Sequence, residues 1–249
     1  MKTVDFTLEM YSQICQALKP YHVLAVVDFL SMKIEKPFTI IRHDVDRCIS
    51  NALAMAKLES KYGIISTYYF RYPYTYNKEV MSEINSLGHE IGYHYEVLDK
   101  TKGRYQKAIE LFKEELEIFR KDFQVVTICM HGNPLTKWDG RTLWDKYDMQ
   151  KLGIIGETYV SFRDKNVKYL TDTGRTWNNA FQFKDTLGKK QINVKNSKEL
   201  VNLLKAKKYH NLYILTHPER WAFNSLNYIR GYSRDFVFKT GKRVIGMIK

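Results

Sequence analysis

Cysteine is scarce in this chain: Cys15, Cys48 and Cys129 are the three among 249 residues, an odd number with no CxxC spacing. That pattern implies no disulfide framework, and thiols kept reduced in a cytoplasmic setting are expected. Proline is scarce too. Its five copies are scattered, and no Pro/Gly/Ser-rich linker, internal repeat or low-complexity tract divides the chain. No run approaches the roughly 18 uncharged apolar residues of a membrane span, so no transmembrane segment is expected. The opening MKTVDFTLEMYSQ lacks the apolar core of an export signal. Acidic residues are outnumbered, 27 Asp and Glu against 40 Lys and Arg, which leaves a net charge of +13. The excess runs from Lys2 to Lys249 without basic blocks, and no nucleic-acid module is visible, so nucleic acid is not an expected partner. A basic surface suits an acidic small substrate, although charge alone does not choose it.

Apolar residues are plentiful, 44% of the chain with 14% aromatic, which suffices for a sizeable core. The length fits one α/β domain, since α/β barrels often reach about 250 residues as a single unit. Residues 1–35 read as one or two helices, an N-terminal extension packed on the barrel, and 36–249 as the barrel domain. From Phe38 onward β-rich runs alternate with helical patterns. Phe38–Ile41 is followed by Ile49, Ala52, Leu53 and Ala56, which share one helical face and are stopped by Gly63. Then come a strand over Ile64–Phe70, a helix with Val80, Ile84 and Leu87, a strand over His89–His94 and a long helix carrying Ile109, Phe112, Leu116 and Phe119. A strand over Val125–Met130, a helix around Leu143–Leu152 and a short strand at Ile154–Ile155 follow. Asn196-Ser-Lys-Glu199 reads as a capping box opening a helix that leads into a strand over Asn211–Thr216. The stretch from about Val160 to Lys195 reads as loop-rich. Such alternation predicts parallel β/α units, in an open sheet or a barrel.

Polar residues collect at the ends of these strands. One ends in Arg42-His43-Asp44-Val45-Asp46, one in His94-Tyr-Glu96, one in His131-Gly-Asn-Pro134 and the last in His217-Pro-Glu-Arg-Trp221. Four of the seven histidines stand at such ends. Each has an ordinary reading: Asp46 as a helix cap, His94 as a core hydrogen-bonder, His131 in a turn, His217 closing a strand. In parallel α/β folds, however, the C-terminal strand ends share one face, where ligands bind. His22, His89 and His210 lack this placement and read as structural. Histidine and carboxylate together suit a catalytic divalent ion, Zn²⁺ above all, with three protein ligands and an open position. Asp44 and Asp46 are two apart, so on an extended strand end they point the same way. One could ligate the ion while the other takes a proton from water, and a histidine across the site could protonate the leaving group.

These segments resemble the polysaccharide deacetylase family, the NodB-homology domain, over most of the chain from about Phe38 to Trp221. Ile-Ile-Arg-His-Asp-Val-Asp resembles its first motif, Ser66-Thr-Tyr-Tyr-Phe its second strand, Leu87-Gly-His-Glu-Ile-Gly-Tyr-His94 its GHEIGxH segment, and Ile214-Leu-Thr-His217 its late histidine motif. The resemblance implies a distorted (β/α) barrel of about seven parallel strands in a single domain, with Asp44 as general base, Asp46 and His94 as metal ligands and His217 as general acid. The sequence departs from the family at Leu98, where a second metal histidine would stand, and in lacking an arginine-proline motif after the fourth strand. His131 is inferred to fill the vacancy as third ligand, with Glu96 the other carboxylate nearby. The pattern RHDVD, GYHYE, MHGNP, THPERW looks like a divergent subgroup found with lipopolysaccharide and capsule biosynthesis genes. It implies a cytoplasmic hydrolase removing an acyl group, N-acetyl in the first instance, from a carbohydrate substrate that is nucleotide- or lipid-phosphate-linked. A barrel without its metal, serving as a glycan-binding or scaffold protein, is the alternative. For substrate contact, Arg42 and Arg71 suit an anionic group, Glu96 lies beside the ligands, and Asp172, Arg175 and Trp177 suit hydroxyl hydrogen bonds and ring stacking.

Overall fold

A computed structural model describes residues 4–34, 37–177, 187, 192 and 194–223. The rest of the barrel domain expected over 36–249, including 224–249, lies outside the described residues. Helix α1 (Leu8–Leu18), strand β1 (His22–Leu24) and helix α2 (Val26–Ser31) precede strand β2 (Phe38–Val45) and helix α3 (Ile49–Lys61). There follow β3 (Thr67–Phe70), α4 (Lys78–Ser86), β4 (Glu90–Tyr95), the short α5 (Val97–Lys100), α6 (Tyr105–Arg120) and β5 (Thr127–Met130). Last come β6 (Gly156–Glu157), β7 (Lys168–Thr171), α7 (Ser197–Lys205) and β8 (Leu212–Thr216). All pairings are parallel, in the order β6-β5-β4-β3-β2-β8-β7, with β1 beside the first half of β2. The seven strands curl into a half-barrel with flanking helices, a single α/β domain as the alternation predicted. No helix among the described residues is long and apolar enough to cross a membrane.

Local chemistry explains most elements. The helices start on side-chain caps: Thr7 accepts from Met10 N, Asn77 from Val80 N and Asn196 from Glu199 N. Glu199 bonds Lys195 N rather than Asn196 N, so the expected capping box is only half formed. Three expectations are corrected. The stretch before β2 is not purely helical, because His22–Leu24 pairs with Phe38–Ile40 and joins the sheet. The helix expected around Leu143–Leu152 is two 3₁₀ turns, Gly140–Asp145 and Gln150–Leu152, parted where the Asp148 carboxylate takes the Gln150 N–H. The loop-rich stretch contains β7, whose Lys168–Thr171 run is too short and polar-edged to show a period of two but is buried by pairing with β8.

Side-chain alternation along β2 divides two environments. Ile40 packs with Tyr69 and Tyr213, whereas Ile41 packs with Leu212, Ile214 and the apolar faces of α1 and α7. His43 faces outward with Ile41 and meets Glu59 of α3, a fully buried carboxylate that pins the helix to the sheet. Glu59 accepts from His43 Nε2 at 2.9 Å, Ser66 Oγ at 2.7 Å and Tyr68 OH at 2.7 Å, and from Tyr11 OH. His43 Nδ1 in turn lies 2.6 Å from Thr216 Oγ1, so β2, β3, β8, α1 and α3 are joined through one buried network. On the other face, Gly92 of β4 leaves room for the Tyr69 ring, which a Cβ would overlap.

Two tests of this packing follow. Burial pushes the Glu59 carboxyl up, but His43, His89 and Tyr11 outweigh it and take its pKa from 4.5 to about 2. A lowered carboxyl contributes stability that is present above its unfolded pKa and lost as pH falls through the folded one. Between pH 5 and pH 2 the native chain should therefore lose on the order of 3 kcal/mol more stability than Glu59→Gln, read by urea unfolding at each pH. Gly92→Ala should destabilise by about 1–3 kcal/mol through overpacking against Tyr69, read as a lower urea midpoint with an unchanged slope.

Candidate metal centre

Register decides which side chains can meet. Asp44 pairs with Tyr69 and Val45 with Phe70, Tyr93 pairs with Phe70, His94 with Cys129, and His43 with Thr216. The polar tails after β2, β4, β5 and β8 therefore leave the sheet at one rim. The short link from β2 into α3 turns sharply through Cys48, whose φ of 54° is left-handed, a conformation that costs a non-glycine residue about 1 kcal/mol.

Asp46, His94 and His131 come together at that rim. His94 Nε2 lies 3.3 Å and His131 Nε2 3.5 Å from the same oxygen, Asp46 Oδ1. That oxygen is buried and has no hydrogen-bond partner. His94 Nδ1 is 3.0 Å from the Cys129 carbonyl, so Nδ1 is an N–H donor and Nε2 is the nitrogen turned toward Asp46. His131 Nδ1 is 3.0 Å from Glu96 Oε2, within ion-pair reach but off the hydrogen-bond line. The cluster favours positive charge: burial pushes His94 down, but Cys129, Asp44 and Asp46 reverse this and hold its pKa well above the usual imidazole range. Burial raises the Asp46 carboxyl, and His131 and His94 more than offset it, leaving its pKa well below the usual range.

Asp44 and Cys129 stand deeper in the lumen. Asp44, His94 and Cys129 each offer an atom within 4.8 Å of the others, a buried group that could hold a metal ion. Asp44 is bound side-on by Arg42, with Nε to Oδ1 and Nη2 to Oδ2 both at 2.9 Å. Arg42 also donates to Tyr213 OH at 3.1 Å and to Tyr159 OH at 2.7 Å. Burial raises the Asp44 carboxyl, yet Arg42, His94 and His217 outweigh it and keep it below its ordinary pKa. Burial pushes the Cys129 thiol up to about 11. Sequence reasoning missed Cys129, because a lone cysteine inside a strand carries no ligand pattern of its own and only the register of β5 sets it beside His94.

His217 is fixed by Asp172. Asp172 Oδ1 lies 2.7 Å from His217 Nδ1, Oδ2 accepts the His217 N–H at 3.0 Å and the Trp221 indole at 2.9 Å, and Arg220 Nη1 reaches Oδ1 at 2.8 Å. Arg220 Nη1 is also 2.6 Å from His217 Nδ1; with the carboxylate as common acceptor, Nδ1 is a donor. Burial and Arg220 push the His217 imidazole down, and Asp172 reverses this to a net rise. Glu219, which sequence reasoning passed over, is buried beside this group with Oε2 lacking a hydrogen-bond partner, and burial and Asp46 push its pKa up.

The six side chains expected to touch substrate fare differently. Arg42 is 0% exposed and Asp172 is 0% exposed, and both are engaged by protein neighbours. Trp177 is 1% exposed, packed against Phe6 and Trp221 with its indole N–H on Ser197 Oγ at 2.8 Å; its apolar bulk is better buried than offered to a sugar ring. Arg175 turns to the backbone carbonyls of Glu219 and Arg220, holding the segment that carries His217. Arg71 and Glu96 do lie at the rim and pair with each other at 2.7 Å.

Compared with known proteins, the chain matches no family model, no curated protein and no solved structure.

Asp172→Asn removes the buried carboxylate that His217 and Arg220 share and should cost about 3–5 kcal/mol, measured by urea unfolding at neutral pH. A cost below 1 kcal/mol would mean that the carboxylate does not hold this corner.

Proposed function

We propose that the chain is a metal-dependent hydrolase that removes an acyl group, N-acetyl in the first instance, from a carbohydrate. The observation that carries this is Asp46 Oδ1, buried without a hydrogen-bond partner between two histidine Nε2 atoms at 3.3 and 3.5 Å. A buried carboxylate oxygen is rarely left unsatisfied, and the two imidazole nitrogens beside it are of the kind that bind a cation. Asp46, His94 and His131 would hold the ion, and a single carboxylate with two imidazoles suits Zn²⁺. The alternative set around Asp44 and Cys129 is less favourable, because a cation there would adjoin the Arg42 guanidinium and displace a thiol proton held at about 11.

When bound, the ion would supply Lewis acidity, polarising the acyl carbonyl and acidifying water. The residues around it supply the proton transfers. Asp44 Oδ2 lies 3.8 Å from His94 Nε2, so the carboxylate borders the same cluster; Arg42 would keep it ionised and oriented to accept the proton of the attacking water. His217 has Nδ1 committed to Asp172, which leaves Nε2 to deliver a proton to the departing amine nitrogen as the C–N bond breaks. Acetate and a free amino sugar would be the products. The sequence resemblance to polysaccharide deacetylases supports the same assignment of Asp44, Asp46, His94 and His217. A nucleotide- or lipid-phosphate-linked sugar would suit the net charge of +13, and lipopolysaccharide or capsule synthesis is the setting which the resemblance favours.

Acetate release from a panel of N-acetylated sugar nucleotides and short glycans, stopped by chelator and restored by Zn²⁺, is the expected result. Asp44→Asn should lower kcat by about 10²- to 10⁴-fold while metal content stays the same, and His131→Ala should lose the metal. Release that ignores chelator, or an unchanged rate in Asp44→Asn, would overturn the assignment.

A further inference from the structure

His131 follows a strand end directly and begins the His-Gly-Asn-Pro segment, so something outside its own element has to aim its ring. Its backbone N–H donates to the Tyr95 carbonyl at 2.8 Å, which ties the start of the segment to the end of β4. The next residue on β4's side, Glu96, places Oε2 3.0 Å from His131 Nδ1. Arg71, the first residue after β3, holds that same Oε2 through Nη2 at 2.7 Å and reaches the Asp46 carbonyl through Nη1 at 3.4 Å. A closed circuit results, Asp46 to Arg71 to Glu96 to His131 and back to Asp46 Oδ1 at 3.5 Å, with one member from the end of each of β2, β3, β4 and β5.

We propose that Arg71 and Glu96 are positioning residues that lock the tautomer and direction of His131, so that its Nε2 lone pair serves the Asp46–His94–His131 site. This rests on the proposed metal site and goes beyond it, by giving the rim pair a task in ion binding rather than in substrate contact. A carboxylate 3.0 Å from Nδ1 favours the proton on that nitrogen and so leaves the Nε2 lone pair for a cation. His94 receives only a neutral carbonyl at the same ring position, 3.0 Å away. His131 is therefore the ligand whose strength depends on a charged neighbour. Arg71 confers direction on Glu96: a guanidinium clamped between a carboxylate and a backbone carbonyl allows that carboxylate little freedom to swing away.

The test uses the full chain loaded with Zn²⁺, with affinity measured by competition against a chromophoric chelator. The native chain should bind one equivalent. Glu96→Gln, which preserves shape and removes the charge, should bind one equivalent with affinity weakened about 10- to 100-fold. Arg71→Ala should weaken it in the same direction, with Arg71→Lys recovering part of the loss, and it serves as the second variant should Glu96→Gln not fold. In ¹⁵N spectra of the imidazoles of the metal-free chain, His131 should carry its proton on Nδ1 in the native sequence and exchange between tautomers in Glu96→Gln. Unchanged zinc affinity and an unchanged His131 tautomer in both variants overturn the positioning role while leaving the metal site standing. A native chain that takes up no zinc, or takes it up undiminished in His131→Ala, overturns the proposed site together with the circuit built on it.

Discussion

Removing a guanidinium and a carboxylate from water costs several kcal/mol per ion, and the half-barrel does this at its centre with Arg42 and Asp44. Two matched hydrogen bonds at 2.9 Å and two tyrosine hydroxyls, from Tyr159 and Tyr213, offset that cost. The pair holds a negative charge beneath the rim and keeps it ionised, because Arg42 outweighs burial at the Asp44 carboxyl. Arg42 and Asp44 share a face of β2, so the same pair fixes how the end of that strand presents Asp46. The tyrosines that complete its coordination come from β8 and from the segment after β6, drawing distant parts of the curl toward one point.

The reverse face of β2 is polar as well, and differently so. His43 joins Glu59, Ser66, Tyr68, Tyr11 and Thr216 in a network that is wholly buried and almost wholly satisfied. Buried polar networks of this kind rigidify the elements they join. Here they join α1 and α3 to the strands whose ends bear Asp44, Asp46 and His217. One strand thus alternates between a structural network and the rim that carries the proposed metal site, and the firmness of the first limits the freedom of the second.

Each of the three histidines at the rim has a different group beside Nδ1: the Cys129 carbonyl for His94 and Asp172 for His217 at hydrogen-bond distance, and Glu96 for His131 at ion-pair distance. The difference matters chemically. The arrangement separates an imidazole suited to a proton transfer, beside a fully buried aspartate and Arg220, from two suited to sharing one cation with Asp46.

Periodicity, glycine stops and the Asn196 cap in the sequence were enough to place α3, α4, α6 and α7 and strands β2, β3, β4, β5 and β8, because amphipathic faces, stops and caps are local signals. The short strand read at Ile154–Ile155 falls at Gly156–Glu157. The convergence of Asp44, Asp46, His94, His131 and His217 at one rim was legible for a related reason: parallel connections put all strand ends on the same side. Short β1 and β7 were not legible, since their strand character comes from pairing with β2 and β8 rather than from a repeat of their own. Nor were the roles of Arg42, Asp172 and Trp177, polar or aromatic residues whose sequence neighbourhood reads as a binding loop. Composition and spacing determined that this chain folds as parallel β/α units with acid and imidazole at the strand ends. Only tertiary structure decided which of those groups face one another and which are sealed inside, because burial and hydrogen-bond partnership arise between segments far apart in the chain.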